Sequence, residues 1–294
     1  MTAPPALRPR EFPFSDEDFR KIAAQLRNWA GISLPPNKKT LVYSRLAKRL
    51  RALGHESFSE YCDFVFSPSG KAERDEFLNA LTTNVTSFFR ESHHFDHLRQ
   101  QVLPDLVSRA RAGGRVRLWS AGCSTGQEPY SIAITFLEAC PDAPRLDVRI
   151  LATDLDGSAV STAASGLYGV NDTSGLDPQR TKKWFEQEAA GLIAREPLRR
   201  LVHFRQLNLM ADWPFSGSFD VIFCRNLVIY FDREMQARLW SRLASALVPE
   251  GLLYIGHSER VSGPASDLLE GAGVTTYRRL QSDTATFIGS RREH

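Results

Sequence analysis

The 294-residue chain is poor in cysteine. Its four, Cys62, Cys123, Cys140 and Cys224, form no CxxC pair and no framework spacing. That excludes a disulfide scaffold or a cysteine-held zinc site as the organising element and makes a reducing cytosol the expected home. Long apolar runs are also missing. The longest, VIFCRNLVIYF at 221–231, is interrupted by Arg225 and Asn226 and falls far short of the roughly 20 residues that a membrane-spanning helix needs. The opening MTAPPALRPR lacks the apolar core of a signal peptide. Neither GxxxxGK[ST] nor GxGxxG occurs, so the two commonest phosphate cradles are absent. No internal repeat or low-complexity tract is present.

What remains is an ordinary globular composition, 42% hydrophobic and 24% charged, in a chain long enough for about two domains. The net charge of +3 is unevenly spread: residues 1–75 carry +4 and the remainder −1. The first quarter therefore faces something acidic.

After a Pro-rich start, the periodicity predicts a helix over Phe14 to Gly31, with Ser15 as N-cap and Phe19, Ile22, Ala23 and Leu26 on one side. A second helix follows the PPN break, over Lys38 to Leu53. Its polar positions, including Lys38, Lys39, Arg45, Lys48 and Arg49, contain no acid. Helices over Phe58–Phe66 and Lys71–Leu81 complete an all-helical domain of about residues 1–80. Strands and helices then alternate, as in a parallel sheet wrapped by helices. Strands fall at Val116–Ser120, Arg149–Thr153, Phe219–Cys224 and Gly251–Gly256, and helices at Pro129–Ala139 and Arg233–Leu247. Between about 168 and 207 the period weakens, and LRRLVHFRQ alternates polar with apolar. This stretch reads as an insertion forming a small antiparallel sheet.

The segment VRLWSAGCSTGQEPYSIAI runs from strand through a glycine-bounded turn into a helix. A phosphate cradle would supply amides and a lysine there, whereas this turn supplies Glu128, a carboxylate that repels phosphate and attracts a cation. S-adenosylmethionine is such a ligand, with a sulfonium, an ammonium and no phosphate. Asp154 ends the next strand, in ILATDLD, where doubly wound nucleotide folds place an acid against ribose hydroxyls. His93 and His97 have the i, i+4 spacing of a metal pair but no third ligand, so no metal is expected. Cys224, in an apolar strand, reads as a buried small hydrophobe rather than a nucleophile.

TTNVTSFFRESHHF, WSAGCSTGQEPYSIAI, ATDLD, Asn208-Leu209, FDVIFCRNLVIYFD and GLLYIGHSE, in that order, resemble the motifs of the chemotaxis receptor methyltransferases, the CheR family. Gln127 stands where that family commonly has an acid. The resemblance implies an α/β, Rossmann-like class I methyltransferase sheet with a small antiparallel insertion, preceded by an all-helical domain. It implies methyl transfer from S-adenosylmethionine, which leaves S-adenosylhomocysteine, to receptor glutamates. By matching motifs, it implicates Asn84, Thr86, Arg90, Gly122, Glu128, Asp154, Asn208, Leu209, Asn226 and Leu227 in cofactor binding. Asp154 would hold the ribose, Asn208 and Leu209 would border the adenine, and Asn226 and Leu227 would line the methionine side. Arg90 would orient the incoming carboxylate and Tyr230 would face the methyl. Lys38, Lys39, Arg45, Lys48 and Arg49 would contact the receptor's methylation helices.

Two rivals are weighed. A nucleic-acid methyltransferase would use the basic helix, yet no aromatic residues interleave with it as stacking platforms. A non-catalytic cofactor-binding scaffold would not need Arg90, Asn226 and Tyr230.

Overall fold

The computed structural model describes residues 11–281, without the side chain of Val170. Four helices come first: α1 (Asp16–Ala30), α2 (Lys39–Leu53), α3 (Phe58–Phe66) and α4 (Glu73–Leu81). Helix α1 starts where expected because Ser15 and Asp18 form a capping box. Ile22 and Leu26 pack with Val42, Leu46 and Leu50 of α2, Phe58 and Val65 of α3, and Phe77 of α4 in one apolar core.

Residues 83–92 lead into α5 (His93–His97), which continues through a π-helical turn into α6 (Leu103–Arg111). The sheet elements follow as β1 (Val116–Ala121), α7 (Gln127–Ala139), β2 (Val148–Asp154), α8 (Gly157–Ser165), β3 (Leu167–Tyr168), α9 (Pro178–Trp184), β4 (Phe185–Glu188), β5 (Gly191–Ala194), α10 (Glu196–Leu201), β6 (Val202–Gln206), β7 (Phe219–Cys224), α11 (Arg233–Ala246), β8 (Leu247–Ile255), β9 (Leu269–Gly273) and β10 (Thr276–Arg279). The main sheet runs β6-β2-β1-β7-β8-β10-β9. The first five strands are parallel, and β10 and β9 are added antiparallel.

Strand β7 is buried along its whole length, and apart from Asp220, which pairs with Arg109, FDVIFC is an apolar run. Val221 and Phe223 face the layer of α6 and α7, while Ile222 and Cys224 face the layer of α11. Cys224 is fully buried, and burial pushes its thiol well up; it is a packing residue, as its sequence context suggests.

The small antiparallel sheet exists, in the order β3-β5-β4, but it ends earlier than the alternation in LRRLVHFRQ suggests. Val202–Gln206 instead joins the main sheet as its edge, parallel to β2 from Ile150↔Val202 to Asp154↔Gln206. An edge strand with one face on the core alternates in the same way as an insertion hairpin. Among the described residues, no helix is long and apolar enough to cross a membrane.

Strand β1 has β2 on one side and β7 on the other, so the direction of winding reverses between β1 and β7. The crevice beyond the carboxyl ends of these strands is where open α/β sheets bind ligands.

Candidate active site

A cleft opens at that crevice, between the sheet's carboxyl edge, the 81–90 segment and the end of the helical domain. Its lining contains every residue that the resemblance implicates in cofactor binding or transfer: Asn84, Thr86, Arg90, Gly122, Glu128, Asp154, Asn208, Leu209, Asn226, Leu227 and Tyr230.

The turn after β1 forms the floor. Gly122 takes φ +93°, and a Cβ there would stand 3.4 Å from Leu227 Cδ1, narrowing the cleft. Asp154, at the end of β2, accepts from the backbone N–H of Ser124 at 2.7 Å and of Asp156 at 2.9 Å. Burial raises its pKa, and these amides oppose the rise. Two hydrogen bonds leave carboxylate lone pairs for further donors. Asp156 caps α8 and also accepts from the side-chain amide of Asn84 at 2.6 Å, which pins the 82–86 segment to the sheet edge.

Glu128 lies in the first turn of α7. Its Oε1 accepts from Ser120 Oγ at 2.7 Å, and its Oε2 pairs with Arg225 at 3.1 Å. Burial pushes its pKa up, while Arg225 and Ser120 work against that. The Arg225 side chain is only 2% exposed and also lies 3.3 Å from Glu91 Oε2. Burial alone would raise the Glu91 carboxyl as well, but bonding from His257 and the charge of Arg225 bring it to about 2.

Arg90 donates to the carbonyl of Val85 at 2.9 Å and has no carboxylate partner among the described residues. Asn208 and Leu209 follow β6. The carboxamide of Asn208 is already engaged, donating to Trp29 O at 2.5 Å and accepting from Met210 N at 2.9 Å. Asn208 thus ties the end of α1 to the cleft wall and meets a ligand only with what remains of its surface.

Asn226, two residues past the end of β7, takes a left-handed φ of 56°. One group that sequence reasoning missed accounts for this loop. The buried carboxylate of Glu259 accepts from the backbone N–H groups of Asn226 at 3.0 Å, Leu227 at 2.7 Å, Val228 at 2.9 Å and Gly256 at 2.7 Å. Gly256 must be glycine there, because a Cβ would lie 2.5 Å from Asn226 Nδ2 and 2.8 Å from its backbone nitrogen. Tyr230 ends the 3-10 turn that follows, and its carbonyl accepts from Ser33 N at 2.7 Å, a second tie to the helical domain.

His93 and His97 do not act as a pair: His97 Nδ1 bonds Tyr254 OH at 2.8 Å, and His93 is exposed. Ligand atoms of Glu91, His93 and His94 do lie within 4.8 Å of one another. A cation there would sit beside the Arg225 guanidinium, so this donor set does not favour a metal.

The basic stripe on α2 is largely used within the protein. Arg49 makes a two-bond ion pair with buried Glu73, at 2.8 and 2.6 Å. Arg45 donates to the Thr82 carbonyl at 2.5 Å, and Lys39 pairs with Asp16. Lys38 and Lys48 are exposed. The acids that meet these cations come from other helices, so the absence of acids within the α2 sequence does not leave its charge free.

These residues fit S-adenosylmethionine. The lining of the cleft balances two carboxylates, Glu128 and Asp154, against two guanidiniums, Arg90 and Arg225, and Glu91 beside Arg225 adds a third carboxylate just outside it, so no net positive charge opposes a cation. Leu155, Leu207, Leu209 and Leu227 give it apolar walls, and Asp154 retains acceptor capacity for hydroxyls.

Comparison with known proteins agrees with this. The all-alpha domain of CheR methyltransferases matches residues 17–82, and their SAM binding domain matches residues 84–277. A probable chemotaxis protein methyltransferase of Rhizobium etli is 53% identical, over 85% of this chain and 94% of its own. Chemotaxis protein methyltransferase 2 of Pseudomonas aeruginosa is 43% identical, over 94% and 98%. The chemotaxis protein methyltransferase of Escherichia coli K12 is 41% identical, over 84% and 86%. The reversal of winding beside β1, the cleft at that point with its paired carboxylates and guanidiniums, and these matches along nearly the whole described chain lead to one conclusion: the protein belongs to the CheR family of S-adenosylmethionine-dependent methyltransferases.

Proposed function

We propose that the protein transfers methyl from S-adenosylmethionine to side-chain carboxylates of glutamates on chemoreceptors, forming methyl esters in chemotaxis. The observation that carries this reading is Arg90, a guanidinium lining the cleft with no carboxylate of its own among the described residues. Its planar fork matches an incoming carboxylate. The bound cofactor supplies an electrophilic methyl on a sulfonium. A glutamate with an ordinary pKa of about 4.3 is already ionised at pH 7, so no strong base is needed. What the chain must supply is orientation and exclusion of water, which can lower a barrier by about 7–11 kcal/mol.

In this reading Asp154 accepts from the ribose, and Asn208 and Leu209 flank the adenine. Asn84, Thr86, Gly122, Glu128, Asn226 and Leu227 enclose the remainder, and Arg90 and Tyr230 face the reacting groups. The helical domain, about residues 1–80, meets the receptor's methylation helices through α2, with Lys38 at its N-cap and Lys48, exposed and outside any ion pair among the described residues, as cations that steer an acidic partner. Residues from 81 onward carry the transfer. Four buried free thiols suit the reducing cytoplasm. A nucleic-acid substrate is less well supported than the helix charge alone suggests, since Lys39, Arg45 and Arg49 are engaged internally.

The test is incubation with receptor-containing membranes and methyl-labelled cofactor. Label released by mild base as methanol is expected. Label that stays bound after base, or transfer to RNA or DNA instead, overturns the reading.

A further inference from the structure

We infer that Arg225 is a positioning residue whose buried guanidinium clamps the turn that carries Arg90 into the cleft. The inference rests on the role proposed above for Arg90.

The turn is strained. Phe89 and Glu91, on either side of Arg90, take φ of 51° and 55°. Left-handed backbone at non-glycine residues is costly and persists only where the surroundings enforce it. On the Phe89 side, its N–H donates to Ser131 Oγ at 3.0 Å, and its ring lies 4.2 Å from the Arg180 guanidinium. On the other side the enforcing group is Arg225. One Nη donates to the carbonyl of Arg90 at 2.5 Å and lies 3.3 Å from Glu91 Oε2, and the other reaches Glu128 at 3.1 Å.

Three features separate this from an incidental ion pair. Arg225 leaves the end of β7, 135 residues further along the chain, so the contact joins the 81–90 segment to the sheet. Among the described residues, its Nε and Glu91 Oε2 are both buried without a hydrogen-bond partner, so the guanidinium is aimed at the Arg90 carbonyl and Glu128 and holds Glu91 by charge. Among the described residues Arg90 itself makes a single side-chain bond, to Val85 O, so the backbone that Arg225 holds at the Arg90 carbonyl fixes where that side chain starts. The same guanidinium balances Glu128 and so ties the cofactor side of the cleft to the side that receives the substrate.

A lysine ammonium carries the charge but lacks the fork that spans a carbonyl and two carboxylates at once. Full-length R225K and R225Q are compared with wild type, all bound to S-adenosylhomocysteine. Amide hydrogen exchange in residues 86–92 is expected to be at least tenfold faster in R225K. Its single-turnover methyl transfer to a receptor fragment is expected to fall at least tenfold, and by a clearly larger factor than its S-adenosylhomocysteine affinity. Exchange at the wild-type rate, or turnover and affinity lost in equal proportion, overturns the inference. If wild type itself forms no base-labile ester, the proposed substrate is wrong, and the exchange measurement alone then decides the role of Arg225. Should one variant fold poorly, exchange in the other decides it.

Discussion

Glu259 lies beyond the carboxyl end of β8 and touches no residue proposed to act on substrate except through the backbone, so its replacement tests whether loop geometry governs the site. In E259Q, one carboxylate oxygen becomes an amide donor of nearly the same size. Glu259 Oε1 serves Leu227 and Val228, and Oε2 serves Asn226 and Gly256. Whichever way the amide is placed, two backbone N–H groups lose an acceptor and face another N–H. Each lost bond to a charged acceptor is worth about 1.5–3 kcal/mol, and relief of the buried charge returns part of this. A net destabilisation of about 3 kcal/mol is expected. For a chain of this size that lowers the melting temperature by about 5 °C. Affinity for S-adenosylhomocysteine should also fall, since the loop holding Asn226 and Leu227 relaxes. Calorimetry in the presence and absence of S-adenosylhomocysteine measures both effects. Melting within 1 °C of wild type with unchanged affinity would refute the idea that this carboxylate builds the loop.

Other outcomes follow from the same geometry. D154A should weaken S-adenosylhomocysteine binding at least tenfold, or about 1.4 kcal/mol; equal calorimetric affinity would remove Asp154 from the ribose. G256A places a methyl group 2.5 Å from Asn226 Nδ2 and should reduce turnover more than tenfold with unchanged far-UV dichroism, and full activity would show that Asn226 need not sit where it does. Burial and the neighbouring charge of Arg225 lower the pKa of His94 to about 3. The unfolded chain therefore takes up that proton first, so stability is fully present above about pH 6.5 and is lost as pH falls toward 3. H94Q should melt with a shallower pH dependence between 7 and 4, and an unaltered slope would assign the acid sensitivity elsewhere. K38A/K48A should weaken receptor binding and flatten its salt dependence, whereas an identical salt titration would exclude α2 as the docking face.

What the sequence made legible was local. The N-cap at Ser15, the largely apolar run of β7 and the glycine turn before Glu128 are each written within a few neighbouring residues, and the structure places them as read. Strand-end residues such as Asp154 and Asn226 could be grouped because a doubly wound sheet brings its carboxyl ends to one edge. Contacts between distant segments were not legible. Arg225 meets Glu91 and Glu128 across more than 90 positions of chain, and Glu259 holds a loop 31–33 residues away; no periodicity records such pairings. The partners of the α2 cations were not legible for the same reason, because Glu73 and Asp16 approach them from other helices. Strand β6 was assigned to the insertion because alternation shows that one face is buried without showing against which sheet.

The central claim is that this cleft delivers a methyl group to a glutamate carboxylate. Mass mapping of a receptor cytoplasmic fragment after incubation with the protein and S-adenosylmethionine tests it most directly. The account predicts methyl esters on glutamate side chains with wild-type protein and none with R90A that still binds S-adenosylhomocysteine. Methyl groups on nitrogen, or glutamate esters formed equally well by R90A, would contradict it.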